Sequence, residues 1–296
     1  LMRMALIARA SGSPNIQLES NLNGALSELI KIFDGKNLAD LSILLDLPGL
    51  PELELAQSPV DPIALYKARI FLASFFGRNL VDQIRSVLIK TQDECSLKWP
   101  DGQGARKFKK IAWYLLAAGG DIDVRQEAME AVKADSMTLS RAGLDALKSI
   151  NCKEREMAMR TFYDLWRDHP VILDTWFFLE ASTPRKDALR RVQQLLQHPR
   201  FDSKAPNSLR AVLGGFSSNT KAFHSVDGSG YLFLANQVVD IDKKNPITAS
   251  RIVKVFSRWQ SYKDLTKNNM FNTLLNLSKS ALSSNTSEVV QQMLLK

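Results

Sequence analysis

The stretch DPIALYKARIFLASFFG at 61–77 decides the fold. Asp61-Pro62 sets a capping side chain before a proline, whose missing N–H costs nothing in the first turn of a helix. Ile63, Tyr66, Ile70 and Ala73 then recur at helical spacing, which gathers apolar side chains on one face, and Gly77 reads as the stop. Upstream, 1–10 reads as a helix, and Leu22, Leu26, Leu29, Ile30 and Phe33 share a face ahead of a stop at Gly35. Downstream, Ile84, Val87 and Leu88 mark a helix, and 105–118 closes on Gly119-Gly120. The pattern predicts further helices over 124–134, 137–148, 154–167, 172–180, 187–197, 206–213, 230–240, 246–259, 265–282 and 287–295. Pro170, Pro184, Pro199, Pro206 and Pro246 fall in joints or first turns, and no alternating pair of segments reads as a hairpin. The fold class is therefore all-α. Short helices joined by short turns over this length fit stacked helical hairpins, an irregular superhelix of the armadillo or HEAT kind, with a compact multi-helix bundle as the alternative.

Composition bounds the function. The chain has 296 residues, 45% of them hydrophobic and 24% charged, which excludes disorder as its main state. Two cysteines, Cys95 and Cys152, make no disulfide scaffold and suggest a reduced, cytoplasmic setting. The longest apolar runs, 70–76 and 114–118, fall short of the ~18–20 residues that span a membrane. The opening residues read as a helix cut from something longer, so the chain is expected to be a fragment. Residues 1–60 carry four basic and seven acidic side chains, and the other 236 carry 35 and 24, a net of +11. Arg106, Lys107, Lys109 and Lys110 form one basic cluster, and Arg185, Lys186, Arg190 and Arg191 another. Both read as solvated helical faces, since nucleic-acid binding calls for a longer stripe with stacking aromatics.

The search for a catalytic centre fails. His169, His198 and His224 are the three histidines, and none stands four residues from another, so no helix-borne zinc pair exists. His169 and His198 each precede a proline at a helix end and read as capping groups. Catalytic and metal-binding residues are accordingly expected to be absent from this chain. The region 201–259 is the unusual one. Arg210 lies on a short helix closed by Gly214-Gly215, a polar loop runs through His224 and Asp227 to Gly228-Ser229-Gly230-Tyr231, and Arg251 follows Asn245-Pro246. Two arginines on neighbouring helices are suited to face a common groove, because a guanidinium pairs bidentately with a carboxylate.

LLQHPRFDSKAPNSLRAVLGGF (195–216), AFHSVDGSGYLFL (222–234) and NPITASRIVKVFSRW (245–259) resemble the C-terminal helical domain of the bacterial aminopeptidase N family, M1 zinc metallopeptidases. DPIALYKARIFL (61–72) and REMAMRTFYDLWRDHPVILDTWFFLEASTP (155–184) extend the resemblance, which is strong over 150–296 and weaker but collinear over 1–149. It implies that 1–296 is a single helical domain of a four-domain enzyme that removes N-terminal amino acids from peptides. The family's zinc-binding HExxH and its GxMEN loop do not occur here. Zinc is thus expected in the catalytic domain of the same polypeptide, with this domain enclosing the cavity and controlling peptide access. Arg210 and Arg251 match arginines that face the cavity in the family and are expected to line the substrate channel; the alternative is that they cap helix carbonyls. His224, Asp227 and Tyr231 are expected to hold the loop shape. Neither nucleic acid nor membrane is an expected partner. The competing readings are a stand-alone helical scaffold for a protein or acidic partner, a nucleic-acid-binding repeat, and an enzyme with an unrecognised site.

Overall fold

The computed structural model describes residues 1–33, 37–98 and 100–295; the predicted stop at Gly35 lies outside them. Among the described residues the fold is all-α, and the nearest approach to a sheet is one isolated parallel bridge between Val60 and Tyr262. The chain divides into two compact units, Leu1–Ala56 with Ala64–Leu165, and Gln57–Ile63 with Trp166–Lys296.

The first unit is organised around the helix Gln103–Gly119, which packs on Leu38–Leu45 and Met137–Leu147. Phe108, Ile111, Ala112, Leu115 and Leu116 form its buried face. It ends as its glycines predict: Gly120 takes φ +100°, its N–H donates to the Ala117 carbonyl, and the Asp121 N–H reaches Leu116. This is the paired closure that a left-handed residue makes possible at a helix end. Gly77 plays a different part from the one its sequence position suggested. The helix runs from Pro62 through Gly77 to Asn79. A Cβ at Gly77 would stand 1.9 Å from the Leu115 carbonyl oxygen, and one at Gly119 would stand 2.6 Å from the Gly77 carbonyl carbon. The two glycines are where two backbones touch, which sequence periodicity cannot distinguish from a stop.

The basic run at 106–110 also departs from the solvated face expected of it. Arg106 is buried and donates to the carbonyls of Leu97 and Asp101. Lys109 stacks over the Trp113 ring, and Lys110 pairs with Asp145.

In the second unit, Pro170–Ser182 packs on the segment 206–218, and Ser229–Asp242 packs on Pro246–Ile252 and Asp264–Ser278. Val60 donates to Ser261 and Lys263 donates back to Val60, at 2.8 and 2.9 Å, which ties 57–63 into this unit. Three boundaries differ from expectation. The 206–213 helix is α only over Pro206–Leu209, widens to a π-helix over Arg210–Gly214, and resumes at Gly215–Ser218. The 246–259 helix is α over Pro246–Ile252 and then tightens into the 3-10 turn Val253–Phe256. The 265–282 helix stops at Ser278, because Ser283 caps a new one, Ser284–Leu294. Asp242 anchors that cap: its carboxylate accepts from the Ser283 N–H, the Ser283 hydroxyl and the Thr286 hydroxyl. Burial works to raise the Asp242 pKa, but those donors outweigh it and hold the carboxyl below its usual range.

Candidate functional site

The 201–259 region lies wholly in the second unit, so its geometry can be read from one compact body. Arg210 opens the π-helical turn, a widening in which one residue is gained and a side chain is re-aimed; such turns recur at functional sites. Gly215 lets the turn sit close to its neighbour, since a Cβ there would stand 2.8 Å from the Phe178 carbonyl oxygen. The Arg210 guanidinium is exposed and folds back on its own helix, with Nε donating to the Pro206 carbonyl at 3.3 Å and Nη2 to the Asn207 side-chain oxygen. Arg251 stands in the last turn of Pro246–Ile252, whose first turn is capped by Asn245 accepting from the Thr248 N–H at 3.0 Å. Its side chain is exposed and makes no hydrogen bond or ion pair with another described residue. The turn that begins at Arg210 packs against the helix that carries Arg251. Between the flanking segments lies a cavity of about 480 Å³, walled by Phe201, Leu209 and Ile241, with Lys204, Lys244 and Asn245 at its polar edge. Neither Arg210 nor Arg251 is among the residues lining it.

Of the three residues between the two arginines, His224 and Tyr231 come together, Tyr231 from the helix Ser229–Asp242, while Asp227 stays in the exposed turn. His224 Nδ1 and the Tyr231 hydroxyl share a 2.7 Å hydrogen bond inside a ring of aromatics formed by Phe223, Phe256 and Tyr262. Tyr231 is fully buried and His224 nearly so. Burial drives the His224 pKa down to about 4, so near neutrality the imidazole is uncharged and sealed from water. Asp227 is exposed; its carboxylate accepts the Ser229 N–H at 3.0 Å, beside Gly228 at φ +72°. The Ser229 amide, with the Ser229 and Ser225 hydroxyls, holds its pKa below the usual carboxylate range. Gly230 completes the turn, since a Cβ there would stand 2.4 Å from the Phe223 carbonyl oxygen.

The donor set does not fit a metal. Among the described residues no three His, Cys, Asp or Glu side chains gather. His224 faces Tyr231, and His198 Nδ1 accepts the Arg200 N–H while its ring packs on Trp176 and Phe177. His169 precedes the helix Pro170–Ser182, at its positive end, and its side chain makes no cap bond; its ring meets Trp166 edge-on. His169 is the N-cap residue through its backbone, its carbonyl accepting the Ile172 and Leu173 N–H groups. Sequence reasoning also missed the π-helical turn and the Asp242 anchor, which joins residues 41 and 44 positions apart and leaves no local signal. Ser283 itself is a residue type favoured at a helix start, and its side chain accepts the Thr286 N–H.

The cluster 185–191 is an ion-pair network: Arg191 and Arg185 both pair with the buried Glu180, and Arg185 and Arg190 with Asp187. No helix among the described residues is long and apolar enough to cross a membrane.

Comparison with known proteins adds the following. The family described as "domain of unknown function (DUF3458_C) ARM repeats" matches residues 1–295. Aminopeptidase N of Caulobacter vibrioides is 32% identical over 281 residues, which are 89% of this chain and 31% of that protein. Aminopeptidase N of Escherichia coli is 32% identical over 225 residues, covering 74% of this chain and 25% of that one. A crystal structure of Legionella pneumophila aminopeptidase A in complex with aspartic acid superposes with a TM-score of 0.83 at 26% identity, over 92% of this chain and 33% of that one. The chain thus spans about a third or less of the length of these relatives and is homologous to their C-terminal part.

Proposed function

Because the chain belongs to the DUF3458_C ARM-repeat family, we propose that it is the C-terminal helical domain, residues 1–296, of a four-domain aminopeptidase N-type enzyme that removes N-terminal residues from peptides. The observation that carries this reading is the near-complete match of this chain to a minor part of aminopeptidase N. The M1 chemistry, zinc included, belongs on this reading to the catalytic domain of the same polypeptide. The helical domain encloses the active-site cavity, admits peptides by their free amino end and lacks activity alone. A cytoplasmic setting is part of the same reading, as is the absence of nucleic-acid and membrane partners.

Arg251 is the channel residue with most support: an exposed guanidinium with no carboxylate among the described residues to satisfy it, on a helix that Asn245 fixes. Arg210 is exposed too, and its contacts are with neutral oxygens, so its charge stays available. In an enclosed cavity such a cation attracts a peptide carboxylate more strongly than in bulk water. His224, Asp227 and Tyr231 shape the loop between the two.

The test is an aminopeptidase assay on alanyl and lysyl arylamides, comparing this chain with its full-length parent. A silent chain beside a chelator-sensitive parent is the expected result; an inactive parent moves the weight to a helical scaffold. In the parent, Arg251→Ala weakens turnover of longer peptides and spares the arylamides. Equal loss for both substrate classes removes Arg251 from the channel.

A further inference from the structure

The first unit carries a cleft of its own, lined by none of the residues placed in the candidate functional site. It has a volume of about 400 Å³ and lies among the helices Val81–Lys90, Gln103–Gly119 and Ile122–Glu130, within the size range of small-ligand sites. Its wall is apolar: Leu88 and Ile89 come from one helix, the Trp113 indole from the next, and Leu139 from Met137–Leu147.

Its charges sort into those already used and those left over. Arg85 donates through Nε and Nη2 to Asp121 at 2.8 and 2.6 Å, and through Nη1 to Glu127 at 3.1 Å. The other Glu127 oxygen accepts the Trp113 Nε1–H at 3.2 Å. One guanidinium is thereby shared between the Asp121 and Glu127 carboxylates, and this trio stays net negative within the wall. Two lining charges remain. Lys109 Nζ stands 4.8 Å from the Trp113 ring centroid and makes no ion pair with a described carboxylate. Glu130 accepts a hydrogen bond from the neutral Gln126 amide, which leaves its negative charge intact.

Lys109 and Glu130, neither paired with a described group of opposite charge, flank an apolar wall and call for a guest that offers a partner to each. We propose that this cleft binds a zwitterion with an apolar side chain: a free amino acid or a short apolar peptide, its carboxylate on Lys109, its ammonium on Glu130 and its side chain against Trp113, Leu88 and Leu139. A plain carboxylic acid would meet repulsion from Glu130, and a plain amine repulsion from Lys109, so neither half of the guest suffices. The inference stands on the first unit alone and does not rest on the peptidase reading.

The experiment is a calorimetric titration of the full 296-residue chain with L-leucine, leucyl-leucine, 4-methylpentanoate and 3-methylbutylamine, with tryptophan fluorescence followed in parallel. The expected result is saturable binding of leucine or leucyl-leucine that perturbs emission in the parent chain and not in Trp113→Phe. The acid and the amine each bind about tenfold more weakly or worse. Lys109→Met and Glu130→Gln, both conservative in shape, each weaken the zwitterion by a similar factor. Which of the two zwitterions binds more tightly identifies the guest. Absence of saturable binding by both, equal affinity for the plain acid, or unchanged affinity in both charge variants overturns the proposal. The ligand series is run on the unaltered chain, so it decides the matter even if a variant fails to fold.

Discussion

Arg106 and Arg251 are both helical arginines, yet the two units of the molecule use them in opposite ways. In the first unit the guanidinium is buried and its donors end on the carbonyls of Leu97 and Asp101, pinning the turn that precedes its helix. Arg69 does the same for the 47–48 turn, donating to Pro48 and Leu47 while it holds the Tyr114 hydroxyl. In the second unit Arg251 is exposed and Arg210 touches only neutral oxygens of its own helix. The second unit is not short of acids, since Glu180 and Asp187 gather three other arginines. At Arg106 and Arg69 charge is structural material, at Arg210 and Arg251 it is left over, and leftover charge is what a ligand can use.

Four experiments break or sharpen that contrast. The largest effect is expected at Arg106→Met, which leaves buried carbonyls without donors and costs about 3 kcal/mol of stability in denaturant titration. A cost within error of zero would mean that Arg106 is not a structural tie.

Next comes the one strongly shifted imidazole of the second unit. His224 is uncharged in the fold, with its pKa depressed to about 4, against about 6.5 in an unfolded chain. As pH falls through 6.5 the unfolded state takes up the proton first, so stability drains between roughly pH 6.5 and 4 and levels off below that. The loss is on the order of 3 kcal/mol and disappears in His224→Gln, whatever that variant costs at neutral pH. A parallel pH profile in the variant would show that the imidazole is not the titrating group.

A smaller effect is expected at Arg85→Met, about 1–2 kcal/mol, because Arg85 and Asp121 are both partly shielded and the pair braces a helix start. Burial works to raise the Asp121 pKa, but the Arg85 hydrogen bonds and the Val124 amide pull it below its usual value. That contribution is therefore present above about pH 4 and is lost as pH falls further, through the folded-state pKa. Arg85→Met should flatten this acid limb of the stability profile. The smallest effect is at Arg210→Met and Arg251→Met, each within about 0.5 kcal/mol of the parent. A larger cost at either would make that arginine structural.

Particular residues show how far the sequence could be read. Helices were legible because their apolar spacing is a local property, and Gly120 was legible because a left-handed residue at a helix end has one common use. Gly77 was misread because its reason is Leu115, on another helix 38 positions away. Arg106 was misread for the same cause: its partners are backbone carbonyls, which every residue has and no pattern marks. In the candidate site, His224 and Tyr231 were picked out together as loop-shaping residues, but the hydrogen bond that joins them inside an aromatic shell, from a helix in the case of Tyr231, was not. The π-helical turn at Arg210 was invisible, since its sequence reads as ordinary helix. The Trp113 cleft was passed over because its two leftover charges, Lys109 and Glu130, stand out only after the neighbouring ones have been paired.

The bridge between Val60 and Tyr262 has a consequence for how the chain is made. Lys263 pairs with Asp61 across 202 residues, so the 57–63 segment leaves the ribosome long before the residues that seat it. At about 5–20 residues per second, synthesis keeps that segment waiting on the order of 10–40 s. The first unit has all its residues well within that interval, while the second cannot close until 259–263 have emerged. A chain stalled before those residues therefore leaves the Val60 backbone and the Asp61 carboxylate without the partners that seat them in the finished fold.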